Sequence, residues 1–442
     1  MGNRKMQLSE NGLAYLMVLP AMIIIFMIAL WPVIRSFWYS MFELQLNHPT
    51  KNAVHLKYQL DVERYVDTQF YINSSFKTLA KSVEESKANE VTAIKAQLDT
   101  LHNNLMKLDG FSSRYETVKD LLDSFKPVND EKIRYFSISK KTAQQYLNTI
   151  AEVTEQLQKL SEKSDDPAKE TASIMEDLRV SILKPNFVGF DNYLYYLDEL
   201  KIRNGELGRL GKALINTFSF TFVSVFLELI LGLGIALLIN KSFKGRGLVR
   251  AAILVPWAIP TVVSAMMWQF LYDGQTGIVS AFFAKLGLVK NPGILLTTKG
   301  GAFFSIVFAD VWKTTPYMAL LLLAGLQTIS AELYEAGQVD GATKIQQFFK
   351  ITLPLLKPTI LVALLFRTLD AFRIFDLVYV LTGGGPANST ETISVYAYKT
   401  MFAQMDFGRG STLSIVVFIC ISLISIGYIK LLGADILRGQ DK

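Results

Sequence analysis

The chain has 442 residues, of which 50% are hydrophobic, and its 45 basic and 39 acidic residues give a net charge of +6. The apolar residues are concentrated in long runs, a pattern that excludes an ordinary soluble globular protein and indicates an integral membrane protein. A membrane helix needs about 20 apolar residues. Six runs reach this length and are predicted membrane spans: residues 13–38, 213–239, 251–271, 303–326, 359–381 and 413–432.

Basic residues in the short loops predict how the chain is oriented in the membrane. One set of loops holds the larger number, namely Arg4, Lys5, Lys241, Lys244, Arg246, Arg250, Lys344, Lys350, Lys357, Lys430, Arg438 and Lys442. The opposite set holds Lys285, Lys290, Lys299, Lys399 and Arg409. The positive-inside rule therefore predicts that both termini are cytoplasmic. The net charge is interpreted as a topology signal, so no nucleic-acid partner is expected.

Residues 43–205, between the first two spans, are polar and contain no apolar run long enough to cross a membrane. Apolar residues recur there at spacings of mostly three and four, in two series: Phe76, Leu79, Val83, Val91, Ile94, Leu98, Leu101, Leu105 and Leu108, then Tyr146, Ile150, Val153, Leu157 and Leu160. This periodicity predicts two or three long amphipathic helices that fold back on one another, coiled-coil-like, outside the membrane. The insertion is either a spacer or a docking surface for an extracytoplasmic partner.

Metal binding is not expected in this sequence. The three histidines, His48, His55 and His102, all lie in the insertion without ligand spacing and are predicted to be solvated. Cys420 is the only cysteine in the sequence and lies within an apolar span, so neither a disulfide nor a cysteine-based metal site is expected.

A polar segment at 327–356, between the fourth and fifth spans, carries two short motifs. The first comprises Glu335, Ala336, Gly337, Asp340 and Gly341, and the second comprises Ile351, Leu353 and Pro354. Ser330 is a predicted helix cap, and Asp340-Gly341 is a predicted turn that ends this helix. A second short helix is predicted from 343 to 350, with Pro354 ending it. The segment is therefore a helix-turn-helix exposed to another protein or, as the alternative, an amphipathic loop on the bilayer.

The spacing of these motifs resembles the coupling loop of ATP-binding-cassette importer permeases, which docks into a cleft of the ATPase subunit. Other segments resemble the carbohydrate-uptake branch of that family, which includes the maltose-transporter permeases: 187–193, Asn216-Thr217, Pro256, Pro260 and 382–386. The resemblance implies an all-α integral membrane protein with a six-span permease core and a helical extracytoplasmic insertion, divided at 1–42, 43–205 and 206–442. It also implies a multi-pass protein of the bacterial inner membrane.

The implied function is transport, not enzymatic catalysis. The resemblance implies one permease subunit of a binding-protein-dependent importer, which forms half of a pathway for a carbohydrate. The implied partners are a second homologous permease, two ATPase subunits that bind ATP and magnesium, and an extracytoplasmic sugar-binding protein, with no cofactor in this chain. Two alternatives are considered. A secondary carrier requires inverted repeats with ion-coupling acids, and six spans with a docking loop argue against it. A receptor with a coiled-coil ectodomain requires a large cytoplasmic signalling region, whereas the predicted inner loop at 327–356 is the longest and has only 30 residues.

Charged residues within the predicted spans mark a candidate substrate path. Arg367, Asp370, Arg373 and Asp376 follow one another at steps of three, so they are expected to face the bundle interior and to pair. The resemblance to maltose-transporter permeases implies a path lined by Asp310, Lys313, Thr314, Tyr317, Asp370, Ala371 and Ile374, and Arg373 is added as a neighbouring charge. Acids, bases and a ring suit a carbohydrate. Alternatively these charges are structural pairs, such as Lys313 with Asp370. Glu228, in the second span, is expected to be a buried hydrogen-bonding residue, with a role in the sugar path as the alternative.

Overall fold

The computed structural model describes residues 10–161, 167–203 and 205–440. Arg4, Lys5 and Lys442, on which part of the orientation prediction depends, lie outside these ranges. The chain divides into two compact units. We call Trp38–Phe190 with Met405–Gly408 the insertion unit, and the described residues of Met1–Phe37, Asp191–Gln404 and Arg409–Lys442 the membrane unit. Residues 191–205, which were predicted to belong to the insertion, are therefore grouped with the membrane helices.

The first membrane-length helix is continuous but not uniform. It consists of α1 Glu10–Ile25, a π-helical turn Phe26–Leu30 and α2 Trp31–Ser40. Its apolar part, Met17–Ser40, is long enough to cross a membrane. The side chains of the apolar window in this helix are exposed within the chain, so lipid or another subunit must cover them.

The described residues of the insertion unit form six complete helices and three short strands. In chain order they are β1 Gln59–Asp61, α3 Val62–Ser82, α4 Glu85–Met106, α5 Phe111–Asp123, α6 Glu131–Arg134, β2 Tyr135–Ser137, α7 Lys140–Leu160, α8 Pro167–Val180 and β3 Ile182–Leu183. The strands form an antiparallel sheet in the order β2-β1-β3, with Leu60 opposite both Phe136 and Ile182.

Both predicted apolar series contribute to a single core in this unit. Phe76, Leu79, Tyr146 and Ile150 are among its buried residues. More helices form than the two or three predicted. The chain breaks at Val83 between α3 and α4 as well as at Gly110, whose φ is +77°, and the shorter helices α6 and α8 are added. The helices pack around a shared core and a small sheet, an arrangement that differs from a coiled-coil hairpin.

After the insertion unit, the membrane unit continues with α9 Asp191–Asp198 and a hairpin of β4 Ile202–Arg203 with β5 Glu206–Leu207. The helices that follow are α10 Arg209–Asn240, α11 Arg246–Ala258, α12 Thr261–Leu271, α13 Ile278–Lys285, α14 Ile294–Thr297, α15 Lys299–Leu326, α16 Ala331–Val339, α17 Lys344–Gln347, α18 Leu353–Phe372, α19 Asp376–Thr382, α20 Ile393–Tyr398 and α21 Phe407–Gln440. Within the described residues, five helices are long and apolar enough to span a membrane, or six if α11 and α12 form one broken span. The predicted all-α membrane fold is therefore confirmed.

The third predicted span is not one straight helix. α11 and α12 meet at an angle of 89°. Ile259, which precedes Pro260, has an extended backbone with φ −72° and ψ 131°. Steric conflict with a following proline disfavours helical geometry at such a position, and proline also lacks the N–H that would continue the hydrogen-bonding ladder.

The fifth predicted span starts earlier and ends earlier than predicted. A continuous helical segment runs over Lys344–Phe372, through α17, a π-helical turn Phe348–Thr352 and α18. Pro354 does not end a helix, because it occupies the first turn of α18 directly after the wider π-helical turn. The backbone leaves the helix at Arg373, so Arg373 and Asp376 lie beyond the membrane-length segment.

Close helix packing in the membrane unit depends on small residues. A Cβ atom on Gly232 of α10 would lie 2.8 Å from Cγ of Met318 of α15, and one on Gly325 would lie 2.5 Å from Oγ1 of Thr359 of α18. Both distances are shorter than van der Waals contact. Glycine at these positions therefore allows α15 to approach α10 and α18 closely.

We predict that the core of the insertion unit folds independently and depends on Phe76. Phe76 is 2% exposed and Phe70, on the same helix, is 75% exposed. In a polypeptide of residues 54–186, Phe76→Ala should lower the free energy of unfolding by about 3–5 kcal/mol. The matched variant Phe70→Ala should change it by less than about 0.5 kcal/mol. Urea unfolding followed by circular dichroism measures both. A coil spectrum for the parent polypeptide, or equal effects of the two variants, would contradict the prediction.

Candidate functional sites in the membrane unit

The segment between α15 and α18 forms an exposed helix, a tight turn and a second helix. Ser330 caps α16, because its side chain accepts a hydrogen bond from the backbone N–H of Glu332 at 3.3 Å. The helix ends at Asp340 and Gly341, where Gly341 has a φ of +77°. A left-handed backbone favours glycine, and this explains the turn pair. The predicted cap and turn are both confirmed.

The two halves of this loop are held together by a few specific contacts. Thr343 begins α17 with a capping box, in which its side chain accepts from the N–H of Gln346 and the Gln346 side chain accepts from the N–H of Thr343. Gln347 is buried and donates to the carbonyl oxygens of Tyr334 and Ala342 at 3.4 and 3.3 Å. The hydroxyl groups of Tyr334 and Thr352 are 3.0 Å apart. These contacts fix α16 against the start of the long helix.

The predicted coupling residues fall into two groups in this arrangement. Glu335, Ala336, Asp340 and Gly341 are exposed, so they are available to another protein. Gly337 instead faces Ile351, and a Cβ atom there would lie 3.1 Å from Cδ1 of Ile351. Leu353 and Pro354 occupy the first turn of α18. The first motif therefore supplies the exposed surface, and the second motif leads into the membrane helix.

A polar cavity of about 320 Å³ lies where α11 breaks from α12 and where α18 ends. Its lining contains three acidic and three basic side chains together with two aromatic rings. The lining residues are Trp257, Thr261, Asp310, Lys313, Thr314, Arg367, Asp370, Arg373, Ile374, Phe375, Asp376 and Leu377.

Arg367 is the centre of the charged groups at this cavity. Its guanidinium donates two hydrogen bonds to the Glu228 carboxylate of α10, one of them at 2.8 Å. It also donates to Asp310 of α15 and, at 3.2 Å, to Asp370 of α18. Arg367 is 2% exposed and Glu228 is fully buried, so the prediction that Glu228 is a buried hydrogen-bonding residue is confirmed. Buried charges in a membrane segment are stable only when paired, and here one cation joins three helices.

Lys313 contacts the backbone beside the break between α11 and α12. Its ammonium group donates to the carbonyl oxygen of Trp257 at 3.4 Å, and this carbonyl lies in the last turn of α11, where the helix end leaves carbonyl groups without an intrahelical partner. Although both residues lie in the described part of the chain, no ion pair within 4 Å joins Lys313 to Asp370. The nearest cations to Asp370 are Arg367 at 3.2 Å and Arg373 at 3.7 Å. The static Lys313–Asp370 pair proposed as an alternative is therefore wrong.

Six of the eight predicted substrate-path residues line this cavity: Asp310, Lys313, Thr314, Asp370, Arg373 and Ile374. Ala371 is fully buried. Tyr317 is partly buried and stacks on Trp257 with ring centroids 5.7 Å apart and planes 14° apart. The aromatic rings at the cavity wall are therefore those of Trp257 and Phe375, neither of which the sequence predicted there. Pro260, three residues after Trp257, was the available signal, because a broken membrane helix exposes polar backbone at a cavity.

The three histidines lie in the insertion unit and do not converge. His55 is 3% exposed, so its predicted solvation is wrong, and its Nδ1 lies 3.0 Å from the Gln59 side chain. Nδ1 of His102 lies 2.8 Å from the hydroxyl of Tyr65. Burial lowers the pKa of both histidines below the ordinary value. Within the described residues, no three His, Cys, Asp or Glu side chains are grouped as metal ligands would be.

Comparison with known proteins agrees with this architecture. The family described as binding-protein-dependent transport system inner membrane component matches residues 228–437. The trehalose/maltose transport system permease protein MalF of Thermococcus litoralis is 46% identical over 258 residues, which cover 58% of this chain and 83% of that protein. The chain belongs to this family. Members are membrane permeases of importers that depend on a binding protein, so the predicted permease function is confirmed.

Two further similarities complete the comparison. The trehalose transport system permease protein SugA of Mycobacterium tuberculosis is 44% identical over 228 residues, which cover 52% of this permease and 72% of that protein. A solved bacterial ABC transporter that imports the acidic polysaccharide alginate is similar with 24% identity and a TM-score of 0.49, over 56% of this permease and 84% of that chain.

We predict that Gly341 sets the conformation of the exposed loop. Gly341→Val places a β-branched residue at a φ of +77°, which costs about 1–2 kcal/mol. Amide hydrogen exchange over residues 331–347 should therefore become roughly tenfold faster, with membrane insertion unchanged. Gly247→Val is the matched control, because Gly247 also faces open space but has no left-handed backbone. Equal exchange in the parent and in Gly341→Val would contradict the assigned turn.

Proposed function

We propose that this permease carries an oligosaccharide of the maltose or trehalose class through the cavity beside Trp257. The observation that carries the proposal is the lining of that cavity, in which six of the residues expected for a sugar path come together. Support also comes from the relatives at 46% and 44% identity, whose names refer to trehalose or maltose. A carbohydrate needs several hydrogen-bonding partners and one apolar face, and the cavity offers both.

The contacts proposed for the sugar follow from the chemistry of the lining. Asp310 and Asp370 accept hydrogen bonds from sugar hydroxyl groups, while Lys313 and Arg373 donate to hydroxyl oxygens. The Trp257 ring packs against the apolar face of a sugar ring. Tyr317 supports the Trp257 ring by stacking on it, with the two ring centroids 5.7 Å apart. Thr314 is turned toward Glu228 at 2.7 Å, so we assign it to the support of the wall.

ATP hydrolysis on separate subunits drives this import. The proposed complex contains this permease, a homologous second permease and two ATPase subunits that bind ATP and magnesium. The exposed face of α16 docks on one ATPase through Glu335 and Ala336. The segment Lys344–Phe372 leaves the docked loop and reaches Arg367 as one helical element of about 35 Å. A displacement of the loop is thereby transmitted to the cavity without a flexible joint.

The proposal also covers the orientation of the chain in the membrane and the surface that contacts the sugar-binding protein. Both termini and the α16–α17 loop lie in the cytoplasm, as the distribution of basic residues favours. The insertion unit then lies outside the bacterial inner membrane. A folded domain with its own core provides a rigid surface, so we assign it to docking of the sugar-binding protein. Deletion of residues 54–186 that leaves binding-protein affinity unchanged would refute this assignment.

Docking on the ATPase should depend on Glu335 more than on its neighbour Glu332. Glu335→Gln removes one charge from the exposed face of α16 without changing its shape, and we expect binding-protein-stimulated ATPase activity to fall about tenfold in the purified complex. Glu332→Gln is the matched control on the same helix and should have less than a twofold effect. Equal activities of the parent and Glu335→Gln would remove the coupling assignment.

Sugar transport should depend on the aromatic face of Trp257. Trp257→Ala should lower maltose and trehalose uptake about tenfold in vesicles that contain the full complex, since it removes a stacking surface. Trp257→Phe should restore most of the uptake, and Tyr317→Leu should have a smaller effect because that ring lies behind the wall. Phe304→Leu, on α15 but outside the polar cavity, serves as control. Uptake of neither sugar by the parent complex would refute the proposed substrate class, and equal uptake by Trp257→Ala would refute the path.

A further inference from the structure

Glu228 belongs to the cavity without lining it. Its carboxylate is fully buried on α10, and its two oxygens accept from Nε and Nη2 of Arg367. The Thr314 hydroxyl donates to the same carboxylate at 2.7 Å. A bidentate carboxylate holds the plane of a guanidinium group in one orientation. Glu228 therefore fixes Arg367, although it does not itself reach the cavity.

Arg367 extends this fixed arrangement to the cavity wall. Nη2 donates to Oδ2 of Asp310, and Nη1 donates to Oδ2 of Asp370 at 3.2 Å. Asp310 and Asp370 both line the cavity, and they are carried by different helices, α15 and α18. One rigid cation is thus bonded to both carboxylates that we assign to the sugar. The planar guanidinium fork imposes a geometry that a lysine ammonium group cannot reproduce.

The three carboxylates bonded to Arg367 become more exposed from Glu228 through Asp310 to Asp370. The side chain of Glu228 is 0% exposed, that of Asp310 is 6% exposed and that of Asp370 is 60% exposed. A purely structural ion pair needs only Glu228 and Arg367. The extension to Asp370, whose side chain is open to the cavity, points to a role in presenting acceptor atoms there. An ionised carboxylate has about four lone-pair sites, so a bond to Arg367 still leaves acceptor capacity for a hydroxyl group.

We propose that Arg367, clamped by Glu228, is a positioning residue of the sugar path. It orients Asp310 and Asp370 so that their free acceptor sites match one arrangement of sugar hydroxyl groups. The pair thereby determines which oligosaccharides pass. This inference rests on the proposed function, because it takes those carboxylates to be the acceptors of the sugar.

The test compares Arg367→Lys and Glu228→Gln with the parent in the full complex, reconstituted in vesicles with its binding protein. Arg367→Lys keeps the positive charge but loses the fork, and Glu228→Gln keeps the shape of the clamp but loses its charge. Maltose and trehalose are the probes. The measured quantities are sugar transported per ATP hydrolysed and the ratio of the two transport rates. In both variants we expect the amount of sugar transported per ATP to fall about tenfold and the ratio of maltose to trehalose transport to change severalfold.

Thr368→Val is the matched control. Thr368 is the next residue on α18, and its hydroxyl lies 3.0 Å from that of Tyr428 on α21, so it also makes a polar contact between membrane helices. It does not line the polar cavity, and all described lining residues are named above. Its replacement should leave transport per ATP and the sugar ratio as in the parent. A similar change of the ratio in Thr368→Val would show that general loosening of the helices is sufficient, and would overturn the proposal.

The remaining outcomes separate this inference from the proposed function. If the variants assemble in smaller amounts, but the assembled complex keeps the parent's coupling and sugar ratio, Arg367 is a structural residue only and the inference is wrong. If Arg367→Lys does not assemble, Glu228→Gln supplies the same comparison with a smaller change. If the parent complex transports neither sugar, the proposed function fails and this inference fails with it.

Discussion

The buried contact between Arg367 and the carboxylates of Glu228, Asp310 and Asp370 is the constraint on which the membrane unit depends. An unpaired Arg, Lys or Asp at the centre of a membrane helix costs about 2.5–3.5 kcal/mol on insertion scales and more by other estimates. The three acids come from α10, α15 and α18. Because all three pair with one guanidinium group, the rotation of each helix about its axis and its position along that axis are fixed relative to the others. Glycines at the helix contacts allow the approach that these short bonds require.

The irregular backbone of the membrane unit follows from the same constraint. Non-helical backbone at membrane depth is tolerated only where protein or a water-filled cavity surrounds it. The break between α11 and α12 and the end of α18 both occur at the polar cavity. The carbonyl oxygen of Trp257 receives the Lys313 ammonium group there. Two chain breaks and the charged groups around Arg367 therefore meet at this cavity.

The sequence predicts the parts of this fold that depend on local patterns. Long apolar runs identify the membrane helices, and the glycine of Asp340-Gly341 identifies a left-handed turn. The break at Ile259 was missed, because the apolar run passes through Pro260 without a change in composition. The fifth span was shifted, because the apolar residues of α19 continue the run after the backbone has left α18 at Arg373.

Contacts between distant residues were the harder part of the candidate site. Steps of three along α18 correctly indicate that Arg367 meets Asp370. They contain no information on Glu228, which lies 139 positions earlier in the chain and is the stronger partner of Arg367. The aromatic ring of the sugar path was assigned to Tyr317 for a similar reason. The sequence shows which helix carries an aromatic residue, but it does not show whether that residue lines the cavity or packs behind another side chain. Both omissions concern tertiary packing, which local periodicity does not encode.

The most direct test of this account is a cryo-electron microscopy structure of the complete importer trapped with maltose or trehalose during transport. We expect sugar density in the cavity, with hydroxyl groups within hydrogen-bond distance of Asp370 and Lys313 and one ring face against Trp257. Arg367 should remain bonded to Glu228 in the same map. Sugar density at another site, or a bound sugar that leaves these side chains without contact, would contradict this expectation.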